Sequence, residues 1–186
     1  NWKDRLSPEQ REQVDQMERA LDIAFPTDLP PGVPPVVVGF AGYRRRKNFT
    51  VEVAKITVED WLHRGIPYSV VLAGGVGSGK SHLLEAAAYD LLARGEQVMF
   101  RTEGKLREEW GNGSFTYKSD LSYALSEVPW LVIDDMGIAT WGDAGKGLMD
   151  VVYDTRWRKR LKTLVATNAK AVDIPARNAS RLGDVT

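Results

Sequence analysis

The chain has 186 residues, enough for one domain with its own core, and its 43% apolar and 27% charged composition suits a folded chain rather than a disordered one. Its 25 basic and 25 acidic side chains cancel, which excludes a uniformly basic nucleic-acid coat but leaves room for local basic patches. Cysteine is absent and histidine occurs only at His63 and His82, so disulfide, thiol and clustered zinc chemistry are excluded as well.

Ser7-Pro8-Glu9-Gln10 carries an N-cap, a proline at the first helical position and acidic or amide side chains in the first turn, which predicts a helix to about Ile23. Pro26 to Pro35 holds five of the nine prolines and reads as an extended linker. Residues 1–35 are therefore expected to be a helix and linker, and residues 36–186 the main domain. From Phe49 onward helices and apolar strands alternate. Val51–Arg64 reads as a helix, Tyr68–Ala73 as a strand, Ser81–Arg94 as a helix closed by Gly95, and Gln97–Thr102 as a second strand. Glu103–Trp110 and Lys118–Ser126 read as short helices around a flexible Gly111-Asn112-Gly113. Trp130–Asp134 is a third strand, Asp143–Arg160 a long helix, Lys162–Thr167 a fourth strand, and Pro175–Leu182 begins another helix. This alternation predicts an α/β fold in three layers, a parallel sheet covered by helices on both faces. No window approaches eighteen apolar residues, so no membrane-spanning helix and no membrane partner are expected. No signal peptide is visible, and a cytoplasmic location is expected. The chain begins at Asn1 rather than Met, so further residues are expected upstream.

Gly74-Gly75-Val76-Gly77-Ser78-Gly79-Lys80-Ser81 fits G-x-x-x-x-G-K-[ST] between a strand and a helix. Glycines let the backbone N–H groups wrap phosphate oxygens, and the helix that follows adds the positive end of its dipole. The expected phosphate cradle is Gly75, Val76, Gly77, Ser78, Gly79, Lys80, Ser81 and His82. Within it Lys80 reaches the β- and γ-phosphates and Ser81 offers its hydroxyl to Mg²⁺. No G-x-G-x-x-G opens the helix, so a dinucleotide site does not fit.

Ile133-Asp134-Asp135 ends an apolar strand in two carboxylates. Asp134 is placed to hold Mg²⁺ and Asp135 to orient or deprotonate a water, although aspartates also leave sheets as plain turn residues. Ala166-Thr167-Asn168 ends the fourth strand. If that strand lies between the first and third, Asn168 projects toward the γ-phosphate; otherwise it is a turn residue. Arg177 and Arg181 share one helix face, which is either a solvated basic face or a source of an arginine acting on a neighbouring subunit's phosphate. Arg44–Lys47 and Arg156–Lys162 interleave basic side chains with aromatics nearby, a pattern that suits single-stranded nucleic acid. The second run equally suits a helix C-terminus, and Trp110 is either a loop contact or a core residue.

Gly74–Ser81, Ile133-Asp134-Asp135-Met136-Gly137, Ala166-Thr167-Asn168 and Arg177–Leu182, in that order, resemble the DnaC-like helicase loaders and the related IstB-like transposition ATPases. Both belong to the AAA+ group of P-loop ATPases, and the resemblance covers about Phe49 to Asp184. It implies that Lys80 and Ser81 match Walker A, Asp134 and Asp135 Walker B, Asn168 sensor 1, and Arg181 the arginine finger, with Arg177 its companion. It further implies ATP hydrolysis to ADP with Mg²⁺, assembly into open rings or spirals, binding of single-stranded DNA and delivery of a replicative helicase. Two departures stand out. Asp135 occupies a position where many AAA+ ATPases carry Glu, and the family core continues past Arg181 with a further strand, so an edge strand and lid are expected to be missing here. An IstB-like role with duplex DNA and a transposase, a small-molecule kinase and a nucleotide-dependent scaffold are the alternatives.

Overall fold

In a computed structural model of the chain, the described residues are Pro8, Glu12, 49–64, 68–137, 143–168 and 180–182. Pro8 and Glu12, from the predicted first helix, are both helical. The proline-rich linker, the basic run Arg44–Lys47 and Arg177 lie outside the described residues. Four parallel strands, β1 (Ser69–Ala73), β2 (Val98–Thr102), β3 (Trp130–Met136) and β4 (Lys162–Thr167), form one sheet in the order β1-β4-β3-β2. Among the described residues the helices with assigned bounds are α1 (Phe49–His63), α2 (Lys80–Ala93), α3 (Glu103–Asn112), α4 (Phe115–Glu127) and α5 (Asp143–Lys159), and residues 180–182 are helical too.

Because β-strand side chains alternate between faces, each strand feeds two cores. Val132 of β3 joins Val70, Leu72, Phe100, Leu164 and Ala166 under α1 and α2, where Trp61, Leu84 and Leu91 close the layer. Leu131 and Ile133 point the other way, with Val165, into the layer built by Leu106, Leu125, Val152 and Tyr153 of α3, α4 and α5. Covering both faces explains why β3 and β4 are buried almost throughout rather than on alternate residues. Helix α2 stops at a glycine terminator: Gly95 has φ +76°, its N–H donates to Leu92 O, and Glu96 N–H donates to Leu91 O.

Three expectations change. Gly111 and Asn112 are helical, so the predicted flexible segment is a tight Gly113-Ser114 turn; Ser114 caps α4 by accepting from Tyr117 N–H at 3.2 Å. Strand β3 runs two residues past Asp134 because β4 continues to pair with it. The basic run after Asp154 is not one exposed stripe. Arg156 is fully buried and donates to Leu125 O, Val128 O, Lys162 O and Thr163 Oγ1 at 2.6–2.9 Å. A buried guanidinium must have its donors satisfied, and here it fastens the end of α4 and the start of β4 to α5. Desolvation pushes its pKa down to about 10. Lys162 is half-buried, and only Arg158, Lys159 and Arg160 of the run's cations are exposed. Trp110 lies on α3, partly buried against the second core.

Candidate nucleotide site

The loop between β1 and α2 bends where glycine is needed. Gly77 and Gly79 have φ of +76° and +91°, a region that L side chains adopt only with strain. Val76 stands out at the loop tip, almost fully exposed. Gly79 precedes α2 and lends it no side-chain cap, and the N-terminal end of the helix faces the loop. Ser81 and His82 open the helix, Ser81 exposed and His82 half-buried with a pKa lowered by that burial. Gly74 N–H donates to Thr167 O at 3.2 Å, which ties the start of the loop to the end of β4.

Lys80 links these parts. Its Nζ donates to Gly74 O (2.8 Å), Gly75 O (3.0 Å), Ser78 Oγ (3.3 Å) and Asn168 Oδ1 (2.8 Å). Strand β4 does lie between β1 and β3, so Asn168 reaches the loop from the sheet edge that also carries the aspartates. Asp134 is buried and its Oδ1 accepts from Asp135 N–H at 2.8 Å. Asp135 has φ +57°, and its carboxyl pKa is raised by burial and by Asp134 and Glu103, with Lys80 opposing. These pairwise effects put the lysine and the carboxylates in one electrostatic neighbourhood.

Arg181 stands apart from this group. Its Nε donates to Asp154 Oδ1 at 3.0 Å, and its guanidinium carbon lies 4.1 Å from the centre of the Trp157 ring. Both partners are on α5, and Asp154 also pairs with Arg158 at 2.9 Å. The structure therefore brings together Lys80, Asn168, Asp134 and Asp135, and seats Arg181 on α5.

Two further carboxylates escape a reading of the sequence alone. Glu85 lies on α2, where burial and, after it, the charge of Asp134 push its pKa up to about 7. Glu103, buried at the start of α3, accepts from Gly137 N–H at 2.6 Å. Its only local signal is an acid in a helix's first turn, which the helix dipole already accounts for.

The donor set fits a nucleoside triphosphate with Mg²⁺. The N–H groups at a helix N-terminus and the Lys80 ammonium suit phosphate oxygens. Among the described residues there is no group of three or more His, Cys, Asp or Glu able to hold a metal ion. Ser81 and Asp134 offer a hydroxyl and a carboxylate, oxygen ligands of the kind Mg²⁺ takes beside phosphate and water. A cleft of about 270 Å³ beside the loop, lined in part by Val53, Ala54, Thr57 and Leu83, has the apolar walls a base needs.

A parallel sheet in this order, with a glycine loop after β1 and acids closing β3, defines the AAA+ type of P-loop fold. The chain belongs to the IstB-like ATP binding protein family, which it matches over residues 50–173. Over 119 residues it is 29% identical to the replicative helicase loader DnaC of Escherichia coli (strain K12), covering 62% of this chain and 49% of DnaC. The chain thus spans about half the length of the curated relatives it matches. Among solved structures it is similar to a DnaC helicase loader at 26% identity and a TM-score of 0.58, covering 79% of this chain and 88% of that one. The fold is also that of the replication initiator DnaA bound to AMPPCP and single-stranded DNA, at 18% identity and a TM-score of 0.68, covering 79% of this chain and 47% of that one.

Proposed function

We propose that this chain is the ATPase core of a helicase loader, hydrolysing ATP to ADP in an assembly that acts on single-stranded DNA and a replicative helicase. The observation that carries the reading is the Lys80 Nζ to Asn168 Oδ1 contact at 2.8 Å, which joins the loop to the sheet edge next to Asp134 and Asp135. In this reading the loop N–H groups and Lys80 bind the phosphates, and the cleft beside α1 takes the base. Ser81 and Asp134 hold Mg²⁺, which when bound neutralises phosphate charge. Asp135 orients the attacking water and accepts its proton. Asn168 hydrogen-bonds the terminal phosphate or that water, and exchanges its present lysine partner for it. The residues at hand use positioning and charge, the two effects on which phosphoryl transfer depends most. The likeness to DnaC supports a helicase partner, and the exposed faces of Phe115 and Tyr123 on α4 offer stacking surfaces for bases.

Nucleotide binding and turnover test the core of this reading separately. Lys80→Ala is expected to lose ATP binding by titration, whereas Asp135→Asn should bind ATP and lose turnover by about 10²–10⁴-fold. Tight ATP binding by Lys80→Ala would refute the loop assignment. The family match favours a second reading, an accessory ATPase for transposition acting on duplex DNA and a transposase. Turnover stimulated by duplex rather than single-stranded DNA, with binding to transposase and none to helicase, would select it.

A further inference from the structure

We infer that Glu103 is a positioning residue for Asp135, acting through the N–H of Gly137 to hold a bulge that turns the Asp135 carboxylate out of the core. The inference rests on the reading of Asp135 given above. In a regular strand, side chains on alternate positions share a face, so Asp135 would follow Leu131 and Ile133 into the apolar layer beneath α3, α4 and α5. It does not. The pairing of β3 with β4 passes from Ile133 opposite Val165 to Met136 opposite Thr167. Three steps on β3 therefore match two on β4, which inserts one extra residue. Met136 takes the place in the apolar layer beside Leu131 and Ile133, and Asp135 is left half-buried at the sheet edge.

This arrangement needs a left-handed backbone at a non-glycine residue, Asp135 at φ +57°, followed by Gly137 at φ +91°. Such a conformation persists only where its surroundings over-determine it. Three side chains do so here. Asp134 Oδ1 accepts from Asp135 N–H at 2.8 Å, Thr167 Oγ1 donates to Met136 O at 2.6 Å, and Glu103 Oε2 accepts from Gly137 N–H at 2.6 Å. The first contact is local and the second comes from β4. Glu103 reaches across from the far side, 34 residues away in sequence, where the first turn of α3 follows β2. With β2 paired to β3 at Thr102 opposite Asp134, the start of α3 is fixed against the bulge by the sheet itself. A bulge clasped from β4 on one side and from the start of α3 on the other has one orientation, and the acid at its apex has one direction.

The test compares two variants of similar volume. Glu103→Met removes the acceptor, and Glu103→Gln keeps an oxygen at the same reach. Two readouts are taken, steady-state ATP turnover and amide hydrogen exchange of the segment Ile133–Gly137 in nucleotide-free protein. Glu103→Met should lower kcat on the order of 10–10²-fold, as for an angstrom-scale misplacement, while KM for ATP stays within about twofold. Exchange of the segment should accelerate, and Glu103→Gln should restore most of both. Wild-type exchange in Glu103→Met, or a Glu103→Gln variant as impaired as Glu103→Met, would overturn the inference. If Glu103→Met does not fold, Glu103→Ala carries the same expectations. Asp135→Asn separates the two readings: retained turnover there removes the role of Asp135 and the tether's purpose with it. Collapse in Asp135→Asn beside wild-type turnover and exchange in Glu103→Met removes the tether alone.

Discussion

Arg156 and Lys162 belong to one short basic run, yet burial treats them differently. The Arg156 guanidinium spreads its donors over four carbonyls and a hydroxyl and remains a cation even with its pKa lowered to about 10. Lys162 sits between the rings of Tyr68 and Trp130, at 5.5 and 5.8 Å, and donates to Trp61 O at 3.2 Å. Desolvation pushes its pKa down to about 8. Unfolded, the same ammonium titrates near 10.5, so between these values the unfolded chain binds more protons. The penalty for holding the charged form is present below pH 8 and is relieved as pH rises toward 10.5. Stability attributable to this group should therefore increase across that window, and the increase should be absent in Lys162→Met. Chemical denaturation of both proteins from pH 7 to 10.5 checks it; parallel profiles would show that Lys162 is not desolvated. None of this was legible in the sequence, where both residues read as parts of one basic run that suits either single-stranded nucleic acid or a helix C-terminus. Lys80, Asp134, Asp135 and Asn168 were legible because each stands at the end of an element with a local pattern. Glu103 and Asp154 were not, since their partners, Gly137 and Arg181, lie 34 and 27 positions away.

Element ends follow local capping chemistry, which hydrophobic periodicity does not encode. The run Gly111-Asn112-Gly113 looked like a hinge because glycine breaks helices on average. In the fold the two glycines do different things. A Cβ at Gly111 would meet nothing within 4 Å, in the last turn of α3. A Cβ at Gly113 would lie 2.6 Å from Tyr117 Cδ1 and 2.8 Å from Glu109 O. Gly113 is thus a close-approach residue that lets Ser114 cap α4 directly after α3 is capped. Gly111→Ala should stabilise by about 0.5–1 kcal/mol through the unfolded chain's lost freedom. Gly113→Ala should destabilise by about 1–3 kcal/mol through overpacking, with Tm falling by several degrees. Thermal melts of the two variants decide it, and a shift of the same sign in both would remove the distinction. The bulge of β3 was illegible for a related reason: Asp-Asp at a strand end reads as an exit into a turn, and only pairing with β4 reveals that the strand continues.

At the scale of the whole molecule, the order β1-β4-β3-β2 brings residues from three separated segments to one edge, while Arg181 is directed elsewhere. Its described partners, Asp154 and Trp157, lie on α5, and none belongs to the loop, the end of β3 or Asn168. Anchoring through Nε and stacking on an indole hold an arginine in place while its two terminal nitrogens can still meet a phosphate. If the chain assembles as proposed, Arg181 completes a site on a second copy of this chain through a head-to-tail contact. Arg181→Ala should then lose turnover by about 10³-fold or more with ATP binding intact. Asp154→Ala should lose less, because the cation remains and only its placement is relaxed. Mixing decides between the neighbour's site and the chain's own. Lys80→Ala supplies an arginine without a working loop, and Arg181→Ala a loop without the arginine. At equal amounts, random head-to-tail pairing reunites the intact halves at about a quarter of contacts, so turnover should recover to about a quarter of wild type. Recovery should track the mixing ratio and require concentrations at which the chain self-associates. A mixture as inactive as its components at every ratio would place Arg181 outside the neighbour's site and confine the reaction to one subunit.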